Sequence, residues 1–336
     1  MESSLLIAVD AMSGDHGPRV CVPGALAALA ADSRARLALV GDPKAIKSAL
    51  GAAGAAPDRI DIVPASQVVT MDDTPREAIR RKKDSSMRRA IDLVATGQAA
   101  ACVSAGNTGA LMSTAHFVLG MIAGIERPAI LAPIPAEGRH TLMLDLGANH
   151  DATPDQLCQF AVMGGIVATR VAGIARPKVA LLNIGEEDIK GHAKVQEAHR
   201  RLSESKRVNY VGYAEGTDVF TGAADVVVTD GFTGNVALKS MEGLARMIGE
   251  AIRTEFSASP LRRLAALAAW PALAALKTRL DPRPYNGASM VGLAGVVIKS
   301  HGSADQLAFA HAVRTGIVEA VNGIPSLIRA ELAGGT

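Results

Sequence analysis

Small and polar residues follow a short apolar run in the first third of the sequence. The run spans residues 99–104, ends at Ser104, and is followed by Gly106, Asn107 and Thr108 before an apolar helical segment begins. Glycine lets backbone N–H groups approach a ligand closely, and the N-terminus of a helix favours an anion. Hydroxyl and amide side chains add neutral hydrogen-bond donors. The junction therefore predicts a phosphate-binding site made by these four residues.

Four further apolar runs end in residues of the same kind. Any single junction is equally typical of an ordinary helix cap or turn, because Gly, Asn, Asp and Ser are preferred there. Their repetition at five predicted strand ends favours an anion site. The side chains that these further junctions offer are Asp15, His16, Asp145, Asn149, Glu186, Lys190, Asp230 and Asn235.

The C-terminal half supplies three more candidates. Lys239 lies one turn into a predicted helix, and Asn286 and His301 lie in two short polar stretches near the C-terminus. Lys239 and Lys190 can supply positive charge to phosphate, but each is also typical of a solvated helix lysine. His301 is equally compatible with a site group and with a helix cap.

Several familiar sites are absent from the sequence. No Gly-x-Gly-x-x-Gly follows the first strand, no Walker A loop is complete, and no Gly-x-Ser-x-Gly turn occurs. Cys21, Cys102 and Cys158 fall in a strand or on apolar helix faces, which is typical of packing thiols. The aspartates show no metal-ligand spacing, so they are expected to accept hydrogen bonds from their neighbours. We predict no cofactor and no metal.

The amino-acid composition limits the possible binding partners and the possible cellular location. Lys and Arg number 35 against 33 Asp and Glu, and aromatic residues make up 3%, which argues against nucleic-acid binding. The N-terminus lacks a basic segment before its apolar run, and no uncharged apolar stretch is long enough to span a bilayer. A cytoplasmic protein is expected.

The candidate residues require a sheet that places strand ends beside helix starts. Short apolar runs alternate with longer segments of helical spacing, which predicts a three-layer α/β/α fold with a mainly parallel sheet. Residues 129–134 and 141–145 are joined by a short polar turn and predict one antiparallel hairpin. Ligands of such sheets bind beyond the carboxyl ends of the strands. One domain over residues 1–330 is expected, in two lobes.

Eight segments that together span nearly the whole chain are 9–18 (VDAMSGDHGP), 80–87 (RRKKDSSM), 104–112 (SAGNTGALM), 144–149 (LDLGAN), 182–191 (LNIGEEDIKG), 229–235 (TDGFTGN), 285–288 (YNGA) and 299–305 (KSHGSAD). In this order they resemble the motifs of the PlsX phosphate acyltransferase family. Ser13 stands where a glycine is expected, and His150 where an apolar residue is usual.

The resemblance implies a phosphotransacetylase- and isopropylmalate dehydrogenase-like fold and a homodimer. It implies transfer of a long-chain acyl group from acyl carrier protein to inorganic phosphate, which gives an acyl phosphate for phospholipid synthesis and for a downstream glycerol-3-phosphate acyltransferase. His16, Lys190 and Asn235 are then the expected catalytic residues. His16 would orient phosphate or protonate the departing sulfur, and Asn235 or Asn286 would donate to the carbonyl oxygen.

A basic run is the first of two features that concern partners. Such a run is usually a solvated helix face, but an acidic carrier protein is a partner that it would attract. The predicted docking residues are Arg80, Arg81, Lys82 and Lys83.

The second feature is a helical hairpin predicted over residues 259–281 and broken at Trp270. Its apolar stripes, flanked by Arg262, Arg263, Lys277 and Arg279, suit a membrane interface, and equally suit packing on the core or on a second subunit. We expect a peripheral contact with the inner face of the cell membrane. The predicted contact residues are Leu264, Leu267, Trp270 and Leu273, in stripes that also contain Leu261, Leu276 and Leu280.

Three other functions remain open at this point. A phosphotransacylase could use acyl-coenzyme A instead of the carrier protein. A dehydrogenase of the same fold would need a nicotinamide site and metal ligands. A non-catalytic module would bind phosphate or lipid without forming an acyl phosphate.

Overall fold

Short runs rich in Val, Ile, Leu and Ala form the strands of one sheet in the computed structural model, which describes residues 5–54, 58–279 and 281–333. The strands are β1 (Leu5–Asp10), β2 (Ala35–Gly41), β3 (Ile60–Pro64), β4 (Ala101–Ser104), β5 (Ala129–Ala136), β6 (Arg139–Leu144), β7 (Lys178–Leu182), β8 (Asn209–Ala214), β9 (Val226–Val228), β10 (Ala288–Val291) and β11 (Val296–Lys299). Their order across the sheet is β3-β2-β1-β4-β11-β10-β5-β6-β9-β7-β8.

Helices cover both faces of this sheet. They are α1 (Pro18–Ala31), α2 (Pro43–Ala52), α3 (Pro75–Arg81), α4 (Ser86–Ala95), α5 (Thr108–Leu119), α6 (Pro154–Arg170), α7 (Ala193–Glu204), α8 (Asp218–Thr221), α9 (Gly231–Ser257), α10 (Pro260–Ala268), α11 (Trp270–Arg279), α12 (Gln306–Asn322) and α13 (Ile324–Ala333). One face packs against α1, α2, α6, α7, α12 and α13, and the other against α3, α4, α5, α8 and α9. The predicted three-layer α/β/α fold is therefore confirmed.

Most neighbouring strands are parallel, and the predicted hairpin is the β5–β6 pair, whose strands are antiparallel. The strand β10 was not expected, and it runs antiparallel to both of its neighbours, β11 and β5. Three antiparallel joins thus separate β11 from β6, so the strands β6, β7, β8 and β9 run opposite to β1, β2, β3, β4 and β11.

This reversal divides the predicted junctions between two edges of the sheet. The carboxyl ends of β1, β4 and β11 lie at what we call the first edge, and those of β6, β7 and β9 lie at the second edge. The chain leaves β1 toward β2 on one side and returns to β4 on the other side. The gap between β1 and β4 is therefore a topological switch point, where α/β sheets bind ligands.

Candidate functional site

The carboxylate of Asp10 lies at the switch point and organises the loops around it. Asp10 is 2% exposed, and the Ser104 hydroxyl donates to its Oδ2 at 2.6 Å. Burial raises the pKa of this carboxyl, and the hydrogen bond from Ser104 lowers it in part. The Ser104 oxygen in turn accepts from the backbone N–H of Gly106 at 3.1 Å. Asp10 and Ser104 thus fix the start of the predicted phosphate loop.

The serine that departs from the family pattern joins two of these loops. The Ser13 hydroxyl donates to the carbonyl oxygen of Asp10 at 2.7 Å and accepts from the N–H of Ala105 at 2.9 Å. Next to it, Gly14 has φ +76°, and a Cβ there would lie 2.9 Å from the carbonyl oxygen of Gly302. The N–H of Asp15 donates to that same oxygen at 2.9 Å. The loops after β1, β4 and β11 therefore touch.

Asn107 caps α5 and also holds a neighbouring loop. Its Oδ1 accepts from the N–H of Ala110 at 3.0 Å, and its Nδ2 donates to the carbonyl oxygens of Met71 at 2.7 Å and Asp73 at 3.3 Å. Both the oxygen and the nitrogen of the Asn107 amide thus already have protein partners. Thr108 is exposed in the first turn of α5. The helices α1, α5 and α12 all begin at the first edge. The carboxylate of Asp305 caps α12 by accepting from the N–H of Ala308 at 2.9 Å, so the N-termini of α1 and α5 are the ones that favour an added anion.

Two lysines bring positive charge to the first edge, and a histidine lies beside them. Lys299 ends β11 and is partly buried, and burial lowers the pKa of its ammonium to about 8. The charge of Lys239 lowers this pKa further and Asp15 raises it, which places both side chains within electrostatic reach of Lys299. Burial lowers the pKa of His301, and Glu242 raises it. Lys239 itself pairs with Glu242 at 2.8 Å.

Lys299 is a site residue that the sequence analysis missed, because the short run 296–299 was not recognised as a strand. The usable signal was that this run is apolar up to a single lysine, immediately before the motif that contains His301. Asp10 was missed as well, although it is the only acidic residue at the end of the first apolar run.

Asn286 supports the loop that follows β11. Its Nδ2 donates to the Ser300 hydroxyl at 2.8 Å and to the carbonyl oxygen of Ala308 at 2.7 Å. Its Oδ1 accepts from the N–H of His301 at 2.9 Å, and the Nδ1 of that histidine lies 2.9 Å from the Ser303 hydroxyl. Asn286 therefore positions His301. His16 lies exposed in the turn just before α1.

The remaining candidates lie at the second edge. Asp145 is buried, and it accepts hydrogen bonds from the N–H groups of residues 130 and 147–149 and from the Asn149 side chain, at 2.8–3.1 Å. Burial raises the pKa of its carboxyl. Asp230 caps α9 by accepting from the N–H of Thr233 at 2.8 Å. Both aspartates thus organise backbone, as expected, and within the described ranges no three His, Cys, Asp or Glu side chains group as metal ligands.

The loop 183–191 presents Glu186 and Lys190 at this second edge. Asn183 holds it by donating to the carbonyl oxygens of Gly185 at 3.0 Å and Lys190 at 3.2 Å. Lys190 pairs with Glu187 at 3.3 Å within the loop, and Glu186 is exposed. Asn235 is exposed on the first turns of α9, beside Gly147. Lys239 therefore lies within electrostatic reach of Lys299 at the first edge, whereas Lys190 follows β7 at the second edge.

An anion site at the switch point of an α/β/α sheet is typical of proteins that handle phosphorylated compounds, and similar solved structures share this architecture. The EutD phosphotransacetylase from Staphylococcus aureus aligns with a TM-score of 0.61 at 16% identity, over 96% of this chain and 95% of its own. At that identity the similarity establishes the fold alone.

Other proteins are far more similar to this chain in amino-acid sequence than these structures are. Residues 5–326 match the family described as fatty acid synthesis protein. A phosphate acyltransferase from Alkalilimnicola ehrlichii is 53% identical over 98% of this chain and 96% of its own length. Another, from Methylococcus capsulatus, is 55% identical over 96% of this chain and 95% of its own. The chain belongs to this family, the PlsX phosphate acyltransferases, and is an acyltransferase.

Proposed function

We propose that the enzyme transfers a long-chain acyl group from acyl carrier protein to inorganic phosphate, and that the acyl phosphate enters phospholipid synthesis. The observation that carries the proposal is that the N-termini of α1 and α5 and three basic side chains, Lys299, Lys239 and His301, lie at the first edge of the sheet, which contains the switch point. A doubly charged anion is the ligand that such a site favours. The relatives are named phosphate acyltransferases, which supports phosphate as the acyl acceptor.

Direct attack needs little from the protein beyond position and charge. Phosphate held by the N–H groups of the loop after Ser104 would present one oxygen to the carbonyl carbon of the thioester. The C–O bond forms, the tetrahedral oxyanion collapses, and the C–S bond breaks with its electron pair on sulfur. Fixed N–H dipoles and cations stabilise this charge without reorganising. We keep Asn235, Lys190 and Glu186 as candidates for contacts with the carrier-bound arm.

One assay tests this reaction and its donor. The enzyme is supplied with radiolabelled phosphate and with palmitoyl thioesters of either acyl carrier protein or coenzyme A, and acyl phosphate is trapped with hydroxylamine. We expect label-dependent palmitoyl hydroxamate from the carrier thioester at a kcat/KM well above that for coenzyme A. Preference for coenzyme A would overturn the carrier assignment, and no hydroxamate from either donor would overturn the reaction.

Exposed basic residues support a carrier-docking surface on α3 and just after it. Arg80, Arg81 and Lys83 are exposed, and only Arg81 has a nearby acidic partner, Glu77 at 3.8 Å, among the described side chains of these three. Lys82 differs, because its ammonium donates to the carbonyl oxygen of Val68 at 2.7 Å and pairs with Asp73. We therefore assign docking to the three exposed residues and a structural role to Lys82.

Charge reversal at Arg80 and Lys83 tests this surface. The double change to glutamate should raise KM for the carrier-bound substrate at low salt and leave kcat unchanged, since a rim charge acts on association. The matched control is reversal of the exposed Lys44 and Lys47 on α2, on the other face of the sheet. The same KM for the carrier-bound substrate in both variants would refute the proposed docking surface.

The helices α10 and α11 support a membrane contact. The break predicted at Trp270 is confirmed, because α10 ends at Ala268 and α11 begins at Trp270. Leu264, Leu267 and Trp270 are 63%, 70% and 63% exposed, so the stripe does not pack on the core. Leu280 and the side chains of Lys277 and Arg279 lie outside the described residues. No helix in the described ranges combines the length and the apolar character that crossing a bilayer requires.

Vesicle flotation tests the membrane contact. Glutamate at Leu264, Leu267 and Trp270 should abolish flotation with anionic phospholipid vesicles, because it removes the apolar area that inserts between headgroups. Glutamate at Val321, an exposed position of α12, is the control and should float like the unchanged protein. Flotation of the triple variant at the wild-type level would refute the contact.

An exposed apolar stripe on α9 supports the homodimer. Val236, Leu244 and Met247 are 49%, 54% and 60% exposed at helical spacing, and a second copy of the chain would cover them. Aspartate at Leu244 and Met247 should convert a dimer to a monomer in sedimentation velocity. A wild-type protein that sediments as one chain would contradict this proposal.

A further inference from the structure

Lys299 and Lys239 both lie at the first edge, but their surroundings differ. Lys299 is partly buried at the end of β11, in register with Ser104 of β4, and its ammonium donates one hydrogen bond to the carbonyl oxygen of Ser300. The neighbouring Lys239 is 57% exposed and pairs with Glu242. An ammonium has three N–H donors, and the part of the chain that the structure describes uses one of them, which leaves two for a ligand.

Charged groups from three parts of the chain face this ammonium. Lys239 comes from α9, Asp15 comes from the loop after β1, and His301 comes from its own loop, where Glu242 of α9 acts on the histidine. Asp10 lies buried at the end of β1, two strands away across the sheet. Burial and Lys239 lower the pKa of Lys299 to about 8, against the effect of Asp15. The ammonium is thus protonated at neutral pH, yet acidic enough to release its proton.

The other basic groups are less suited to giving a proton to a departing sulfur. The pKa of His301 is lowered by burial, so its ring is mostly neutral at neutral pH, and its Nδ1 is engaged with Ser303. Lys239 is exposed and paired. An alkyl thiol has a pKa of about 8.5, close to that of Lys299, and such a match favours proton transfer.

We infer that Lys299 is the general acid that protonates the departing sulfur, an assignment that rests on the proposed function. As a phosphate oxygen bonds to the carbonyl carbon, the C–S bond breaks and its electron pair goes to sulfur. The sulfur takes a proton from the Lys299 ammonium, which leaves a free thiol and a neutral amine. The amine regains a proton from solvent before the next turnover.

Arginine at position 299 separates this role from simple charge neutralisation, because arginine keeps its charge and does not release its proton. We use octanoyl-pantetheine, whose thiol needs protonation, and octanoyl 4-nitrothiophenol ester, whose thiolate leaves unaided. Lys299→Arg should lower kcat about 100-fold with the pantetheine thioester and less than about threefold with the aryl thioester. Lys239→Arg is the control and should affect both donors equally.

The two possible failures are distinguishable. If Lys299→Arg loses equal activity with both donors while wild type makes hydroxamate from both, the acid role is wrong and the proposed function stands. If wild type makes no hydroxamate from either donor, the proposed function fails and the inference fails with it.

A wild-type pH profile gives an independent measurement should the variant fold poorly. For the pantetheine thioester, kcat/KM should fall above about pH 8 as Lys299 loses its proton, whereas the aryl thioester should show no such decline. Parallel profiles for the two donors would overturn the acid role.

Discussion

Replacing the buried carboxyl of Glu319 by an amide should change how the stability of the protein depends on pH. Glu319 lies on α12, is 3% exposed, and its Oε2 accepts from the Ser289 hydroxyl at 2.8 Å. Burial raises the pKa of this carboxyl from its usual 4.5 to about 7, and the bond from Ser289 opposes the rise. The Glu319→Gln change keeps an acceptor for Ser289 and removes the titration.

The sign follows from which state holds the proton more tightly. The folded state does, so the stability that the protonated carboxyl contributes is complete below about pH 4.5 and is lost as the pH rises through about 7. One pKa unit corresponds to about 1.4 kcal/mol, so the whole loss is about 3 kcal/mol. Between about pH 5 and about pH 8.5, linkage predicts a loss of about 2.5 kcal/mol.

Urea unfolding of both proteins at these two pH values measures the loss. The free energy of unfolding of Glu319→Gln minus that of wild type should be about 2.5 kcal/mol larger at the higher pH than at the lower, because only wild type loses stability as the pH rises. The comparison cancels any pH-independent cost of the amide and the titration of all other groups. The same relative stability at both pH values would refute the reasoning.

The remaining predictions concern local packing. Gly234→Ala places a Cβ 1.9 Å from the carbonyl oxygen of Asp145, and we expect a loss of more than about 3 kcal/mol in urea unfolding because backbone must move. Gly243→Ala, in the same helix with no atom within 4 Å of the new Cβ, should instead stabilise by up to about 1 kcal/mol; a loss there would contradict this packing. Asn107→Ala should cost about 1–2 kcal/mol and speed proteolysis next to Met71, since it removes the α5 cap and the bonds to that loop. Unchanged proteolysis would mean that Asn107 does not hold the loop.

Local signals in the sequence predicted the elements well. The apolar runs and the polar turn at 135–139 located the β5–β6 hairpin, and the break expected at Trp270 falls between α10 and α11. The residues of helical spacing at 76–97 do not form one helix. They are divided into α3 and α4, because Thr74 and Ser85 each cap a separate helix.

The arrangement of those elements was not predictable from the same signals. The strands β10 and β11 have only four residues each, and the pairing of β10 with β5 joins positions more than 150 residues apart. No local pattern specifies such a partner. Because β10 runs antiparallel to both β11 and β5, β5 keeps the direction of β11, and the β5–β6 hairpin then reverses β6, β7, β8 and β9. Without this strand order, the sequence alone placed Lys190 and Ser104 in one site. The structure places them at different edges.

The position of the bound phosphate tests the central claim most directly. Crystals soaked with tungstate, a heavy analogue of phosphate, should show an anomalous peak at the first edge, within hydrogen-bonding distance of Lys299 and of the N–H groups that follow Ser104. A peak at the second edge, held by Lys190 and the loop at Asn149, with the first edge empty, would contradict the account.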